Sequence, residues 1–259
     1  MPYRITVLIS TYDDASFVNK KLDEIQRQSI FDLAEFIFIE TASPGNEREL
    51  LAPFCEAHPN CRLLALDERK TLYEAWNTGW NTASAPIICY SNMDDCMHPH
   101  LLKEVVAAMN NNPWDACSVL IAKQPLNNIY MKDMWSIDYL SRLKLSHRPG
   151  PFTAWRSSLR ENIGQFDGNF YGAGDKDFWS RLQSNNVNYG LIKKVLYLYS
   201  KSDQQLSKSD AGRERRMNDK ALIAEKPYAF RWPYSKFPYY YWPQLLLRLF
   251  PRTLCLDIG

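Results

Sequence analysis

The chain of 259 residues is 46% hydrophobic and 23% charged, with a formal net charge of +2. That length suits one large α/β domain, or a domain with an appendage. The apolar content excludes disorder, ten glycines without a repeat exclude collagen-like or low-complexity architecture, and near-neutrality argues against a dedicated nucleic-acid binder.

From the N-terminus, residues 4–10 are a β-branched apolar run, as expected of a strand covered on both faces. A polar break leads into a helix on which Val18, Leu22 and Ile25 recur at helical spacing. Residues 36–39 form a second buried strand, ending at Glu40 and a turn through Ser43, Pro44, Gly45 and Asn46. A helix over 47–57 and a third strand over 62–66 follow, and Leu72, Ala75, Trp76, Gly79 and Ala83 then trace one helical face. Pro86 opens a fourth strand, 87–90, which stops at Asn92, Met93, Asp94 and Asp95. Pro99 fits the first turn of a helix running through Val105, Val106 and Met109, and 116–122 reads as another strand. Residues 123–200 are less regular, with a turn over 165–168 and a helix from Asp175 through Phe178 and Leu182. Beyond residue 210 a charged helix gives way to a Pro- and aromatic-rich tail.

Strands alternating with helices imply a mostly parallel sheet flanked by helices. The polar loops at 10–14, 40–43 and 92–95 each follow a strand, so they are expected to share the crevice at the strands' carboxyl ends. Asp94 and Asp95 offer hard oxygen ligands for Mg²⁺ or Mn²⁺, which in turn neutralises a diphosphate; the competing role is a turn and helix-capping pair. Asp175, after Gly172, Ala173 and Gly174, is either an N-cap or a carboxylate base aimed into the crevice. There is no Walker loop and no G-x-G-x-x-G. Cys89, Cys96, His98 and His100 fit no standard zinc spacing. Trp114 and Trp155 read as packing residues or sugar-stacking rings, and Lys193 with Lys194 as an ordinary strand edge.

Taken in order, these blocks resemble the family-two glycosyltransferases of the glycosyltransferase A fold. The resemblance runs from about residue 4 to 209. It is carried by Val7–Tyr12, by Phe38–Ser43, by the Leu72–Gly79 block ending in Asn77-Thr78-Gly79, by Tyr90–Asp95, and by Phe166-Asp167-Gly168 followed by Gly174–Leu182. It implies a single Rossmann-like α/β domain over 1–209, divided into a nucleotide-sugar half (1–122) and an acceptor half (123–209), with a C-terminal extension over 210–259. It also implies that Ser10, Thr11 and Tyr12 line the nucleobase, and that Glu40 and Thr41 read its edge or the ribose. Asn77 would shape the diphosphate side, Asn92, Asp94 and Asp95 would face the donor, and Asp94 and Asp95 would hold Mn²⁺ or Mg²⁺. Asp175 would deprotonate an acceptor hydroxyl. Asn92 and Thr41 stand where the family usually carries aspartates.

The implied activity is metal-dependent, inverting transfer from a nucleoside-diphosphate sugar to a saccharide or glycolipid, in cell-surface polysaccharide or glycan synthesis. A non-catalytic glycan- or partner-binding module retaining the fold is the alternative. A nucleotidyltransferase is disfavoured because residues 10–15 lack glycine and are acidic. No nucleic-acid partner is expected.

Six cysteines without a CxxC pair read as reduced thiols, and the first apolar run is too short for a signal peptide, so a cytoplasmic location is expected. No stretch approaches the roughly 20 apolar residues of a membrane span. Residues 226–259 carry five Lys/Arg against one acid, hence +4, leaving the body at −2. Their ten aromatics and five prolines suit either a peripheral membrane surface, expected over 226–252 at the inner face of the membrane, or an arm packed on its own domain or a second subunit.

Overall fold

The computed structural model describes residues 2–126, 133–146, 150–201 and 210–228. His147, Arg148 and the aromatic tail from Phe230 onward lie outside the described residues.

Period-two alternation in the first strands divides the interior into two layers. In β1 (Ile5–Thr11), Ile5, Val7 and Ile9 enter one apolar cluster while Leu8 enters another. In β2 (Ala34–Thr41), Phe36 and Phe38 join the first, Ile37 and Ile39 the second. The first layer is closed by Val18, Leu22 and Ile25 of α1 (Ala15–Gln26) and by Leu101, Leu102, Val105 and Met109 of α4 (Leu101–Asn111). The second is closed by Tyr73, Trp76 and Trp80 of α3 (Leu72–Thr82) and by Phe178, Trp179 and Leu182 of α7 (Gly174–Ser184).

β3 (Cys61–Leu66), β2, β1 and β4 (Ile87–Tyr90) lie side by side and parallel. β8 (Ala154–Arg156) then runs antiparallel between β4 and β6 (Ala116–Pro125). β9 (Tyr189–Lys201) continues parallel to β6, and the two-residue β5 (Cys96–Met97) closes that edge antiparallel. β7 (Lys144–Ser146) pairs antiparallel with β6. The expected parallel arrangement thus holds for the first four strands and the β6–β9 pair, while β5, β7 and β8 pair antiparallel. α2 (Glu47–Ala57) and the short α5 (Ile137–Leu140) and α6 (Leu159–Asn162) complete the body. α8 (Asp210–Ala224) contributes Ile223 to the second cluster.

Two local differences from the sequence reading have simple causes. Pro99 stands outside α4, because its carbonyl accepts the Ser29 N–H (2.8 Å) and His100 becomes the cap. Lys193 and Lys194 fall in a β6–β9 irregularity rather than in an edge: Ile192 pairs with Val119, but Val195 pairs with Leu120. Lys194 uses that position to reach Glu104 (2.8 Å).

α3 sits close to the sheet because Gly79 has no side chain. A Cβ there would lie 2.8 Å from Leu8 Cδ2 and 3.0 Å from Ile39 Cδ1. Its N-terminus carries a capping box, in which Thr71 Oγ1 accepts the Glu74 N–H (3.2 Å) and Glu74 Oε2 accepts the Thr71 N–H (2.8 Å). Among the described residues no helix is long and apolar enough to cross a membrane.

Candidate active site

The carboxyl ends of β1–β4 open on one side, and their loops are stitched together before any ligand is considered. After β1 the chain turns through Asp13 (φ 60), and after β2 through Ala42 (φ 51), a left-handed region that side chains seldom adopt. Ser43 Oγ accepts the Asp13 N–H (2.9 Å) and donates to Glu47 Oε1 (2.9 Å), which also accepts the Asp14 N–H (2.6 Å). One Glu40 oxygen accepts the Ser43 N–H, and the other accepts from Arg48 Nη2 (2.9 Å) and Nε (3.1 Å). A pocket of about 170 Å³ opens here, lined by Glu40, Ser43, Gly45 and Arg48 among others. Ser10 is half-buried, Thr41 is buried, and the buried Thr11 hydroxyl has no hydrogen-bond partner among the described residues. Arg69, from the loop after β3, lies over the Tyr12 ring at 3.9 Å.

The loop after β4 is acidic yet rests on a buried cation. Lys21 of α1, with no solvent exposure, donates to the Asp95 carbonyl (2.7 Å), Glu24 Oε1 (2.9 Å) and Ser91 Oγ (3.4 Å). The buried Asp95 carboxylate accepts from the Ser200 N–H (2.8 Å), the Tyr197 hydroxyl (2.9 Å) and Asn92 Nδ2 (2.9 Å). Burial and then the charge of Asp94 push the Asp95 carboxyl well up, against those three hydrogen bonds. Asp94 itself is half-buried; burial raises it, and the Lys21 charge pulls it back. Asp14, at the cap of α1, is pushed from 3.8 up to about 7, first by burial, with Asp94, Glu47 and Asp13 adding repulsion against one Tyr12 N–H bond.

The opposite wall carries Asp175, the second residue of α7. Its Oδ1 accepts the Lys176 N–H (2.8 Å) and, at 3.4 Å, the Tyr73 hydroxyl. Gly174 is required just before it, since a Cβ there would lie 2.7 Å from the Tyr73 ring. Tyr90, at the end of β4, donates to the Gly150 carbonyl, and both Asp175 and Asp95 act on its hydroxyl electrostatically. Burial and Asp175 together raise the Tyr73 and Tyr90 phenols, which stay protonated. Asp175 and the acidic loop's Asp95 therefore both act on Tyr90, whose ring stacks on Trp76 at 4.0 Å.

The structure brings Ser10, Thr11, Tyr12, Glu40, Thr41, Asn92, Asp94 and Asp175 to this end of the sheet. Asn77 and Asp95 are also each engaged by the protein's own groups. The Asn77 amide pairs with the backbone of Phe166, donating to its carbonyl (2.7 Å) and accepting its N–H (3.0 Å), so it welds α3 to the acceptor-side segment. Asp95 braces the loop from behind. Trp155 has no exposure and packs against Trp80 and Phe166, and Trp114 lies against Gly190. His98 is core, its imidazole pushed down to about 4 by burial. Sequence reasoning missed Arg69 and Lys21; Arg69 was findable, because it too follows a strand's carboxyl end.

The fold has known counterparts. A model of the family described as glycosyl transferase family 2 matches residues 6–195. The chain belongs to that family. It is 23% identical over 103 residues to the uncharacterized glycosyltransferase alr2836 of Nostoc sp., covering 40% of this chain and 32% of that protein. It is 25% identical over 112 residues to glycosyltransferase AglE of Haloferax volcanii, covering 43% and 37%. Those matches thus span about a third of the length of the curated relatives. Staphylococcus aureus TarS in complex with UDP-GlcNAc superposes with a TM-score of 0.65 at 16% identity, over 85% of this chain and 65% of that one. The mannosyltransferase PcManGT of Pyrobaculum calidifontis, in complex with GDP-Man and Mn²⁺, gives 0.63 at 21% identity, over 90% and 68%. The shared architecture is the glycosyltransferase A fold.

Among the described residues no three His, Cys, Asp or Glu side chains form a metal cage. The oxygen-only, partly solvated Asp94 nevertheless fits a Mg²⁺- or Mn²⁺-type ion, which takes one or two carboxylates and completes its shell with water and phosphate.

An acid whose folded pKa lies above its unfolded value holds its proton more tightly when folded. For Asp14 stability therefore declines as pH rises from about 4 towards 7, and the penalty is complete above that. Asp14→Asn should accordingly raise the melting temperature at pH 8 and leave it unchanged near pH 4; equal shifts at both would reject this. Asn92→Asp should replace a hydrogen bond to Asp95 by like-charge repulsion, costing about 2–3 kcal/mol at neutral pH in urea unfolding. The loss should shrink at acidic pH, where the pair holds a proton, and a variant as stable as wild type at pH 7 would refute it.

Proposed function

We propose that this chain transfers a sugar from a nucleoside-diphosphate donor to a hydroxyl of a saccharide or glycolipid, with inversion at the anomeric carbon. The observation that carries the reading is that carboxylates from two segments act on Tyr90 at one end of the sheet: Asp95, whose neighbour Asp94 is half-buried, and the half-buried Asp175. The donor complexes of TarS and PcManGT, which share the fold, support the donor class.

In this reading the nucleobase enters beside Ser10, Thr11 and Tyr12. Glu40 presents to the base or ribose whatever lone pairs Arg48 and Ser43 leave, and Thr41 lies beneath it. Asp94 would hold Mn²⁺ or Mg²⁺, which would supply Lewis-acid stabilisation to a diphosphate leaving group. Asp95 and Asn92 keep the Asp94 loop in place. Asp175 takes the proton of the acceptor hydroxyl as its oxygen attacks the anomeric carbon from the face opposite the leaving group. A sugar hydroxyl is a weak acid, so proton removal accompanies attack rather than preceding it. The neighbouring Asp177 is held by Arg181 (2.9 Å) and Tyr228, so Asp175 is the acceptor-side carboxylate placed for one displacement. We place the activity in surface-glycan synthesis on the cytoplasmic side, with residues 226–252 as the docking surface for a membrane or a subunit.

Asp175→Asn should reduce transfer by on the order of 10²–10⁴-fold while nucleoside-diphosphate affinity stays near wild type. Full turnover in that variant would remove Asp175 from the mechanism. Asp94→Ala should abolish the Mn²⁺-dependent part of nucleoside-diphosphate binding in calorimetry. Donor binding without any transfer or donor hydrolysis by wild type would instead favour a binding module.

A further inference from the structure

α8 reaches back to the acceptor wall through one carboxylate. Asp219, 4% exposed, directs its Oδ2 at three successive backbone N–H groups, those of Tyr171 (3.0 Å), Gly172 (2.7 Å) and Ala173 (3.0 Å). Consecutive N–H groups converging on one point form a nest for an anion. Here a side chain 46 to 48 residues further along fills it. Ala173 is the N-cap of α7, and Asp175 follows two residues later.

Neighbouring contacts hold the same region. Arg215 lies 4.5 Å from the Tyr171 ring centre, and Ile223 packs in the cluster containing Phe170, Ala173 and Phe178. Lys226 reaches Asp167 at 3.7 Å, and the Tyr228 hydroxyl donates to Asp177. These contacts support the segment as a whole, whereas Asp219 alone grips the three peptides leading into the α7 cap.

We propose that Asp219 is a positioning residue for Asp175, fixing the start of α7 so that the Asp175 carboxylate meets the acceptor hydroxyl. This rests on the reading of Asp175 as the base. A carboxylate suits the task because hydrogen bonds from N–H groups to an anion are about twice as strong as neutral ones. An asparagine carbonyl keeps weaker acceptance, and its NH₂ would face donors if rotated. Misplacement by about 1 Å at a reacting group costs on the order of 10²-fold in rate, so a loosened cap should be visible in turnover.

The test compares wild type, Asp219→Ala, Asp219→Asn and the exposed same-helix control Met217→Ala in the full chain. Asp219→Ala should lower kcat by on the order of 10²-fold with donor KM within about twofold of wild type, and Asp219→Asn should recover part of the loss. Amide hydrogen exchange should rise at residues 171–173 in Asp219→Ala and stay unchanged in β1 and β4, with Met217→Ala matching wild type throughout. Wild-type kcat in Asp219→Ala overturns the proposal. So does a proportional fall of kcat and donor affinity with protection lost along the whole chain, which marks a merely structural role. If wild type binds nucleoside diphosphate but transfers nothing, the base reading fails separately. Exchange then still decides the contact, since retained protection at 171–173 in Asp219→Ala overturns the grip and selective loss upholds it.

Discussion

The ammonium of Lys21 is the constraint around which the loop after β4 is built. It has no solvent exposure, yet it lies under a loop bearing Asp94 and Asp95 and beside the buried Glu24. Burying a charge is tolerable only when it is paired and hydrogen-bonded, and removing one partner of such a pair typically costs about 3–5 kcal/mol. Lys21 meets that condition by bonding to a carboxylate, a hydroxyl and a backbone carbonyl at once. Because the carbonyl belongs to Asp95, the same bond that neutralises the interior also fixes the acidic loop against α1. The positions of Asp94, Asn92 and Asp95 follow from that attachment.

Around Asp175 the organising force is apolar. Tyr73, Trp76, Tyr90, Phe166 and Phe178 pack in one cluster, and the hydroxyls of Tyr73 and Tyr90 are the polar ends that emerge near Asp175. The ring stack of Trp76 on Tyr90 connects α3 to the last parallel strand, so the two walls share a rigid hinge of aromatic surface. Asn77 adds a polar weld between α3 and Phe166, and Thr71 Oγ1 a second to the Gly168 carbonyl (3.1 Å). α3 therefore does double duty, capping the second core layer and carrying the acceptor-side segment.

How much of this was legible depended on whether local pattern or distant partner decided each element. β1–β4 and α1–α4 announced themselves, because a parallel strand covered on both faces reads as an unbroken apolar run and its helices as 3.6-residue stripes. β5 has two residues and β8 three, too few for any period, and they exist only because β9 and β4 supply partners. The thirteen-residue β9 was hidden by Lys193 and Lys194, which break the pattern where the pairing itself is irregular. Side-chain roles followed the same rule. Asp94 and Asp175 were visible from residue type and position after a strand or before a helix. Lys21 resembled any solvated helix lysine, and Asp219 any charge on a polar helix, because the backbone groups they hold are supplied from far along the chain. Asn77 was legible as part of its block, but its partner, the backbone of Phe166, lies far along the chain and carries no side-chain signal.

The two neutral residues at family-acidic positions, Thr41 and Asn92, acquire a common explanation from the charges around them. The donor end already gathers Asp13, Asp14, Glu47, Asp94 and Asp95, and repulsion among them contributes to the raised pKa values of Asp14 and Asp95. Lys21 lies beneath this group, and Arg48 is engaged by Glu40. A further carboxylate at 92 would face Asp95 across a hydrogen-bond distance, and one at the buried position 41 would stand next to Glu40. Both would deepen a repulsion that the few nearby cations only partly relieve. A neutral amide at 92 instead donates to Asp95, converting the same geometry from repulsive to attractive. The departures therefore reduce the negative charge that the crevice must hold. They leave Asp94, more solvated than Asp95, as the carboxylate that in the proposed function would hold a cation.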